Sequence, residues 1–236
     1  RFKFGRPHHL FSLGNCSSLG TVGQAWRGVL GRRRPKGVAS AKPIIIPLGP
    51  NGRVREELVG SPFPDYVLRN ERGEEVRLSE QWAEGSVLLL FFSSAFGFVC
   101  NLEMLTFTAM LKAFQDANCR IFGVSNDSVR SMGAYSESLR IGFPLLSDEG
   151  ARLARRLGAM EPDDGPWPGF PKRSEFLIDR WGIIRYAHIP PDSNWEPDYD
   201  EILALARSLY EEDRTAKGEG PGGDAPEASE GRPSPP

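Results

Sequence analysis

One cysteine of this chain is placed where a thiol can act as a nucleophile. Cys100 follows an apolar run, Ser86-Val-Leu-Leu-Leu-Phe-Phe92, after a short loop, and it precedes a segment with helical periodicity. A thiol in the first turn of a helix faces unpaired backbone N–H groups and the positive end of the helix dipole. Both favour the thiolate, so we expect the pKa of Cys100 to lie below the value of about 8.5 of a free cysteine.

The segments that must position Cys100 alternate between strand and helix patterns. Residues 86–92 are apolar at consecutive positions, which is typical of a strand covered on both faces. Residues 101–117 and 128–139 have the apolar spacing of helices, and Ser128 is the predicted N-cap of the second. Shorter patterns predict a strand at 65–68, a second strand or turn that starts at 76–79, a strand at 120–125 and a short strand or extended segment at 143–147. They also predict a helix over 149–157 that stops at Gly158, a hairpin of 174–179 with 183–189, and a last helix over 198–210.

This order of elements predicts the fold class. A βαβ unit with parallel strands is followed by a hairpin and a terminal helix, which indicates an α/β protein. We expect a thioredoxin-like fold, in which a central mixed sheet is flanked by helices.

Composition and charge limit the classes of function. The 236-residue chain is 39% hydrophobic and has a formal net charge of −2, which suits one domain with appendages. Residues 1–50 hold nine Lys/Arg and no acid, whereas residues 211–236 hold seven acids and three bases. The middle of the chain is therefore acidic, which argues against nucleic acid as a partner. No stretch approaches the roughly 18–20 apolar residues of a membrane span, so no membrane partner is expected.

The two ends are predicted to lie outside the domain, which we expect to span residues 51–210. Residues 1–50 form a basic extension for which three interpretations stand: a transit-like leader, an arm that binds nucleic acid or membrane, or translated sequence upstream of the true start. Residues 211–236 are rich in Gly, Pro and Glu and are predicted to be disordered. The expected location is the cytoplasm, or an organelle if residues 1–50 are a transit peptide.

The chain has three cysteines, Cys16, Cys100 and Cys119, with no CxxC pair and no Cys/His cluster. This pattern argues against a disulfide framework, a structural zinc and a thioredoxin-type dithiol. A reducing compartment is the simpler expectation. Neither a cofactor nor a metal is expected.

Five segments in fixed order carry a resemblance to a known family. They are Gly60–Asp65 (with Leu78 and Ser79), Phe91–Glu103, Phe122–Ser128, Phe143–Asp148 and Arg173–Gly182. Their order and spacing resemble the peroxiredoxins of the alkyl hydroperoxide reductase/thiol-specific antioxidant family. The resemblance implies a thioredoxin fold and the reduction of hydroperoxides by a peroxidatic cysteine. It places Cys100 at the cysteine, Glu103 at the acid three residues on, and Arg173 at the distant arginine of the family's active site.

Two positions depart from the family pattern Pro-x-x-x-Thr/Ser-x-x-Cys. Ser93 stands at the proline and Gly97 at the hydroxyl residue, which in the family orients the thiolate and the peroxide. The loss of one preorganised donor costs on the order of 10²–10³ in rate. The backbone N–H groups of Val99 and Cys100 are expected to donate to the peroxide, and Ser93 or Ser94 is the candidate to replace the missing hydroxyl.

Four further residues have expected roles. The positive charge of Arg173 is expected to stabilise the leaving oxygen. Tyr135 falls near the family's aromatic position beside the active site, and we expect it to act in packing. Cys119 is expected to be a structural thiol, and His188 a strand residue without a catalytic task.

The reaction expected from the resemblance converts Cys100 to a sulfenic acid, which a second thiol must reduce. Many relatives carry a resolving cysteine five residues on or near the C-terminus, but position 105 is Leu105 and no cysteine follows Cys119. We therefore expect a one-Cys mechanism with an external reductant, a low-molecular-weight thiol or a thioredoxin-like or glutaredoxin-like protein. Resolution by Cys119 is the alternative.

The sequence thus favours a thiol-dependent peroxidase that acts on hydrogen peroxide or small organic hydroperoxides. Two alternatives stay open, a redox sensor that passes its oxidation to a partner and a non-catalytic binding module. A homodimer is expected, because the family often dimerises.

Overall fold

The computed structural model describes residues 57–165, 167–191 and 196–218. The predictions for residues 1–50, for Cys16 and for the tail beyond residue 218 lie outside the described residues.

One mixed sheet of seven strands organises the part of the chain that is described. Its strands stand in the order β2-β1-β5-β4-β3-β6-β7. They are β1 (Val67–Asn70), β2 (Glu75–Arg77), β3 (Ser86–Phe91), β4 (Cys119–Ser125), β5 (Leu145–Ser147), β6 (Ser174–Ile178) and β7 (Ile184–His188). Strands β3, β4 and β5 are mutually parallel, and all other pairings are antiparallel. The predicted hairpin is therefore confirmed as β6–β7, and β3 lies between β4 and β6.

Helices cover both faces of the sheet. They are α1 (Leu78–Trp82), α2 (Phe98–Asp116), α3 (Val129–Leu139), α4 (Arg152–Leu157) and α5 (Tyr199–Ala216). Leu88 and Leu90 of β3 pack against residues of α2, α3 and α5. Val87 and Leu89 point to the opposite face and pack with residues of α1 and α4. Because successive side chains alternate between the faces, every residue of β3 is buried, as its apolar run predicted.

Local signals set several element ends as predicted. The Ser128 side chain accepts a hydrogen bond from Ser131 N at 3.3 Å and caps α3. Gly158 ends α4 with a φ of 70°, which a glycine adopts without a steric penalty.

Two element predictions are corrected. Helix α1 was expected to be strand or turn, and it has no side-chain cap that would reveal it. Helix α5 continues to Ala216, six residues beyond its predicted end at Tyr210. Within the described ranges, no helix is long and apolar enough to cross a membrane.

Candidate active site

Cys100 lies in the first turn of α2, where the sequence placed it. The loop between β3 and α2 is tied to the carboxyl end of β4. Phe92 N donates to Val124 O at 3.0 Å, and Ala95 N donates to the carboxylate of Asp127 at 2.8 Å. The Asp127 carboxylate also accepts a hydrogen bond from Ser125 Oγ at 2.7 Å. These contacts fix the loop that carries the residues preceding the cysteine.

The thiol of Cys100 is buried, with 5% of the residue exposed. Burial raises the pKa of Cys100 above its ordinary value. The backbone N–H groups of Ser94 and Ser93 lower the pKa, the charge of Glu103 raises it, and the charge of Arg173 lowers it. Because burial has the largest effect, the expected depression of the pKa is wrong for this structure, and the thiol form prevails at neutral pH.

The donors to the sulfur come from the loop. The backbone N–H groups of Ser94 and Ser93 lie near enough to the Cys100 sulfur to lower its pKa. The helical ladder of α2 opens with Asn101 N donating to Gly97 O at 2.8 Å. The N–H groups of Val99 and Cys100 therefore precede the first helical hydrogen bond and face the start of the helix.

Gly97 is the N-cap of α2 and lies beside the thiol. Its φ of −64° and ψ of 134° are accessible to any residue, so the backbone does not require glycine here. A Cβ atom at this position would lie 3.4 Å from Cys100 Sγ, 3.3 Å from Ser94 O and 3.5 Å from Ser94 Oγ. A Thr or Ser at 97 would therefore place its hydroxyl against the sulfur, and Ser94 is the serine whose side chain reaches the same space.

The fold brings Glu103 and Arg173 together, as the sequence predicted. Arg173 Nε donates to Glu103 Oε2 at 2.6 Å, and both side chains are buried. A second carboxylate, Glu196, lies 3.6 Å from the same guanidinium and is half-exposed. Glu103 lies on the same helix as Cys100, one turn further on, so the guanidinium is held next to the thiol.

Two buried residues that the sequence reasoning did not assign to the site extend this ion pair. Glu175 and His188 are cross-strand partners in β6 and β7, and Glu175 Oε2 lies 2.6 Å from His188 Nδ1. Glu175 is an acid inside the apolar strand of 174–178, and this position could have predicted the contact, because a buried acid requires a partner. The expectation that His188 is only a strand residue is therefore incomplete.

The acids of this cluster titrate together. Burial, and then the charge of Glu175, raise the pKa of Glu103 well above its ordinary range, although Arg173 opposes them. Burial raises the pKa of Glu175 to about 7, against the lowering effects of Glu103 and Arg173. The two carboxyls therefore titrate as a coupled pair, in which a proton on either one is favoured over two buried negative charges.

Cys119 lies at the other end of the structure from the thiol of Cys100. It pairs with Ser86 at the start of β3, whereas Cys100 follows the end of that strand. Helix α2 separates the two cysteines, and its rise from Cys100 to Asp116 is roughly 24 Å. Burial raises the pKa of Cys119 to about 12, which is typical of an inert structural thiol.

The described residues contain no group of three or more His, Cys, Asp or Glu placed to hold a metal ion. The sheet topology, the covering helices and the cysteine at the start of the long helix define a thioredoxin-like thiol protein.

Comparison with known proteins gives the family. The AhpC/TSA family model matches residues 59–187. Because this match covers more than half of the chain, the protein belongs to the AhpC/TSA family, which comprises the peroxiredoxins.

Individual relatives agree. Peroxiredoxin Q, chloroplastic, of Sedum lineare is 27% identical over 173 residues, which cover 72% of this chain and 89% of the relative. The 2-Cys peroxiredoxin BAS1, chloroplastic, of Hordeum vulgare is 32% identical over 142 residues, 56% of this chain and 66% of the relative. Among solved structures, peroxidoxin BcpB from Mycobacterium tuberculosis has a TM-score of 0.57 and 28% identity, and the match covers 64% of this chain and 96% of that one.

Proposed function

We propose that this protein is a thiol-dependent peroxidase that reduces hydrogen peroxide or small organic hydroperoxides through Cys100. The observation that carries the proposal is the surroundings of one sulfur. The Cys100 sulfur lies at the start of a long helix, and the backbone N–H groups of Ser94 and Ser93 and the positive charge of Arg173 all lower its pKa. These are the features that stabilise a sulfur nucleophile.

The reaction is a two-electron displacement at oxygen. The Cys100 thiolate attacks one peroxide oxygen, an S–O bond forms, and the O–O bond breaks. The attacked oxygen keeps its hydrogen and becomes the sulfenic acid hydroxyl, while the second oxygen leaves as hydroxide or alkoxide and takes up a proton from solvent. The sulfur is oxidised by two electrons and the peroxide is reduced by two, which gives a sulfenic acid and water or an alcohol.

Arg173 and Glu103 are proposed to act as a unit in this step. The guanidinium supplies positive charge to the leaving oxygen. Its Nε is bound to Glu103 at 2.6 Å, which restricts the rotation of a long side chain. A charge that is already oriented costs no reorganisation when the O–O bond breaks.

The loop residues are proposed to bind the peroxide. The N–H groups of Val99 and Cys100 lie at the start of the helix, and Gly97 places no side chain beside the sulfur. Ser93 and Ser94 donate through their backbones, and the Ser94 side chain lies next to the space at Gly97.

The sulfenic acid is proposed to be reduced by an external thiol, in a one-Cys cycle. Cys119 is buried and separated from Cys100 by the length of α2, so it cannot reach the sulfenic acid while the helix is intact. A thiol from outside attacks the sulfenic sulfur, water leaves, and a mixed disulfide forms. A second external thiol then releases Cys100. The reductant is proposed to be a low-molecular-weight thiol or a thioredoxin-like or glutaredoxin-like protein.

Intact mass after one equivalent of hydrogen peroxide tests both parts. A gain of one oxygen atom that is lost in Cys100→Ser supports the peroxidatic role and the one-Cys cycle. A loss of two hydrogens without added thiol, abolished by Cys119→Ser or Cys16→Ser, contradicts the one-Cys cycle only. No oxidation at Cys100 contradicts the peroxidase itself.

A redox sensor is the second candidate, and the raised pKa of Cys100 favours it. A thiol that is mostly protonated and lacks a hydroxyl at position 97 reacts more slowly with peroxide. A sensor would transfer the oxidation to one partner protein. Isolation from cells of a mixed disulfide between Cys100 and a single protein would therefore distinguish a sensor from a peroxidase.

We further propose that the protein forms a homodimer in the cytoplasm. An exposed apolar stripe on α2, made of Phe98, Leu102 and Leu105, supports a contact between two copies. Analytical ultracentrifugation of Leu102→Glu against the wild type tests this proposal. An organelle is the alternative location, because two relatives are chloroplastic, and imaging the chain with and without residues 1–50 separates the two.

A further inference from the structure

The hydroxyl of Tyr135 lies in an unusual position for a core tyrosine. The residue is 0% exposed, and its hydroxyl has no hydrogen-bond partner among the residues that the structure describes. A buried hydroxyl without a partner destabilises the folded state relative to one that is paired. Phenylalanine would fill the same space without that cost, so the hydroxyl calls for an explanation other than packing.

The ring of Tyr135 is held against the loop that carries the cysteine. Its centroid lies 5.7 Å from that of Phe92 and 5.2 Å from that of Phe96, which stand on either side of the two serines. Phe96 has a φ of 64°, a left-handed conformation that is unusual for an aromatic residue. The Phe96 ring lies edge-on to the ring of Tyr135, which belongs to α3.

Tyr135 belongs to the same buried cluster as Cys100. After burial, the groups that raise the pKa of Tyr135 are Cys100, then Glu103 and then Asp127. All three belong to the site or to the loop that forms it. Because the pKa is raised, the phenol stays protonated in the working pH range and remains a hydrogen-bond donor.

We propose that the Tyr135 hydroxyl is a catalytic donor that binds the peroxide oxygen at Cys100 and replaces the hydroxyl that Gly97 lacks. This inference rests on the proposed peroxidase function. The hydroxyl is not bonded to the sulfur in the resting structure, so it is free to donate to an oxygen that arrives there. It donates while the S–O bond forms and the O–O bond breaks, and it keeps its proton throughout.

Two reactions of the same sulfur test the proposal in the full chain with Cys16 and Cys119 replaced by serine. Hydrogen peroxide brings an oxygen to the site, whereas iodoacetamide alkylates the thiolate at a carbon. In Tyr135→Phe, the rate constant for hydrogen peroxide is expected to fall about 100-fold, as for the loss of one preorganised donor. The rate constant for iodoacetamide and the melting temperature are expected to stay at or above the wild-type values. Tyr186→Phe, which removes another hydroxyl from the same core, serves as the matched control.

The outcomes separate this inference from the proposed function. If the parent protein reacts with peroxide faster than a free thiol and Tyr135→Phe reacts equally fast, the assignment of Tyr135 is overturned and the peroxidase stands. Equal losses with both reagents show a structural role and also overturn the assignment. If the parent protein reacts with peroxide no faster than a free thiol, the proposed function fails and this inference fails with it.

Discussion

The buried pair of Glu103 and Arg173 allows a quantitative test of what the site costs the fold. Arg173→Met leaves the Glu103 carboxyl fully buried without the guanidinium that lies 2.6 Å away. Glu103→Leu leaves the guanidinium with the half-exposed Glu196 at 3.6 Å. Removal of one partner from a buried ion pair typically costs about 3–5 kcal/mol. We expect each single variant to lose free energy of unfolding in this range.

The double variant, Glu103→Leu with Arg173→Met, is expected to behave differently. It removes both charges, so neither has to be taken out of water on folding. Glu175 keeps its contact with His188 at 2.6 Å and so retains a partner. The double variant is therefore expected to be within about 1 kcal/mol of the wild type, or more stable, which corresponds to a coupling energy of several kcal/mol.

Urea unfolding followed by tryptophan fluorescence measures these free energies, and the rate of Cys100 oxidation by hydrogen peroxide is measured on the same samples. The double variant is expected to oxidise about 100-fold more slowly, because it lacks the charge that stabilises the leaving oxygen. A double variant that loses the sum of the two single losses would refute the reasoning. It would show that the two side chains contribute independently and are not a coupled pair.

Three further predictions concern the Cys100 thiol, the Gly97 position and the start of α4. Because burial raises the pKa of Cys100, the thiolate fraction and the alkylation rate are expected to rise about tenfold per pH unit from pH 6 to 9. A plateau below pH 8 in that profile would contradict the raised pKa. Gly97→Thr is expected to raise the rate of peroxide oxidation, because the threonine hydroxyl would be carried next to Cys100. Gly97→Ala adds a methyl group without a hydroxyl and is expected to leave the rate unchanged. Equal gains for both variants in stopped-flow assays would assign the effect to side-chain size. Asp148→Ala is expected to lower the free energy of unfolding by about 1–2 kcal/mol, because Asp148 accepts from three backbone N–H groups at the start of α4. Asp198→Ala removes a single capping hydrogen bond of α5 and is the control in thermal unfolding. An equal loss of stability in both variants would contradict the argument that Asp148 contributes more because it accepts more hydrogen bonds.

Much of the fold follows from local patterns in the sequence. The apolar run of 86–92 predicts a strand buried on both faces because side chains alternate across a sheet, and β3 has that burial. Ser128 marks the start of α3 because its side chain accepts a hydrogen bond from a backbone N–H of the first turn. Gly158 marks the end of α4 because a glycine adopts the left-handed conformation that ends a helix. Helix α1 was not predicted, because its five residues are too few to show a helical period and no side chain caps its start.

The sequence by itself determined the position of Cys100 at a strand–helix junction and, through the family resemblance, its association with Glu103 and Arg173. Only the tertiary structure decided the electrostatics. The pKa of Cys100 depends on how much water the packed core excludes, and burial outweighs the helix and loop donors. The pairing of Glu175 with His188 and the burial of the Tyr135 hydroxyl likewise depend on which distant segments meet. Periodicity is written locally in the chain, whereas desolvation and long-range contacts exist only after the sheet and its helices have packed.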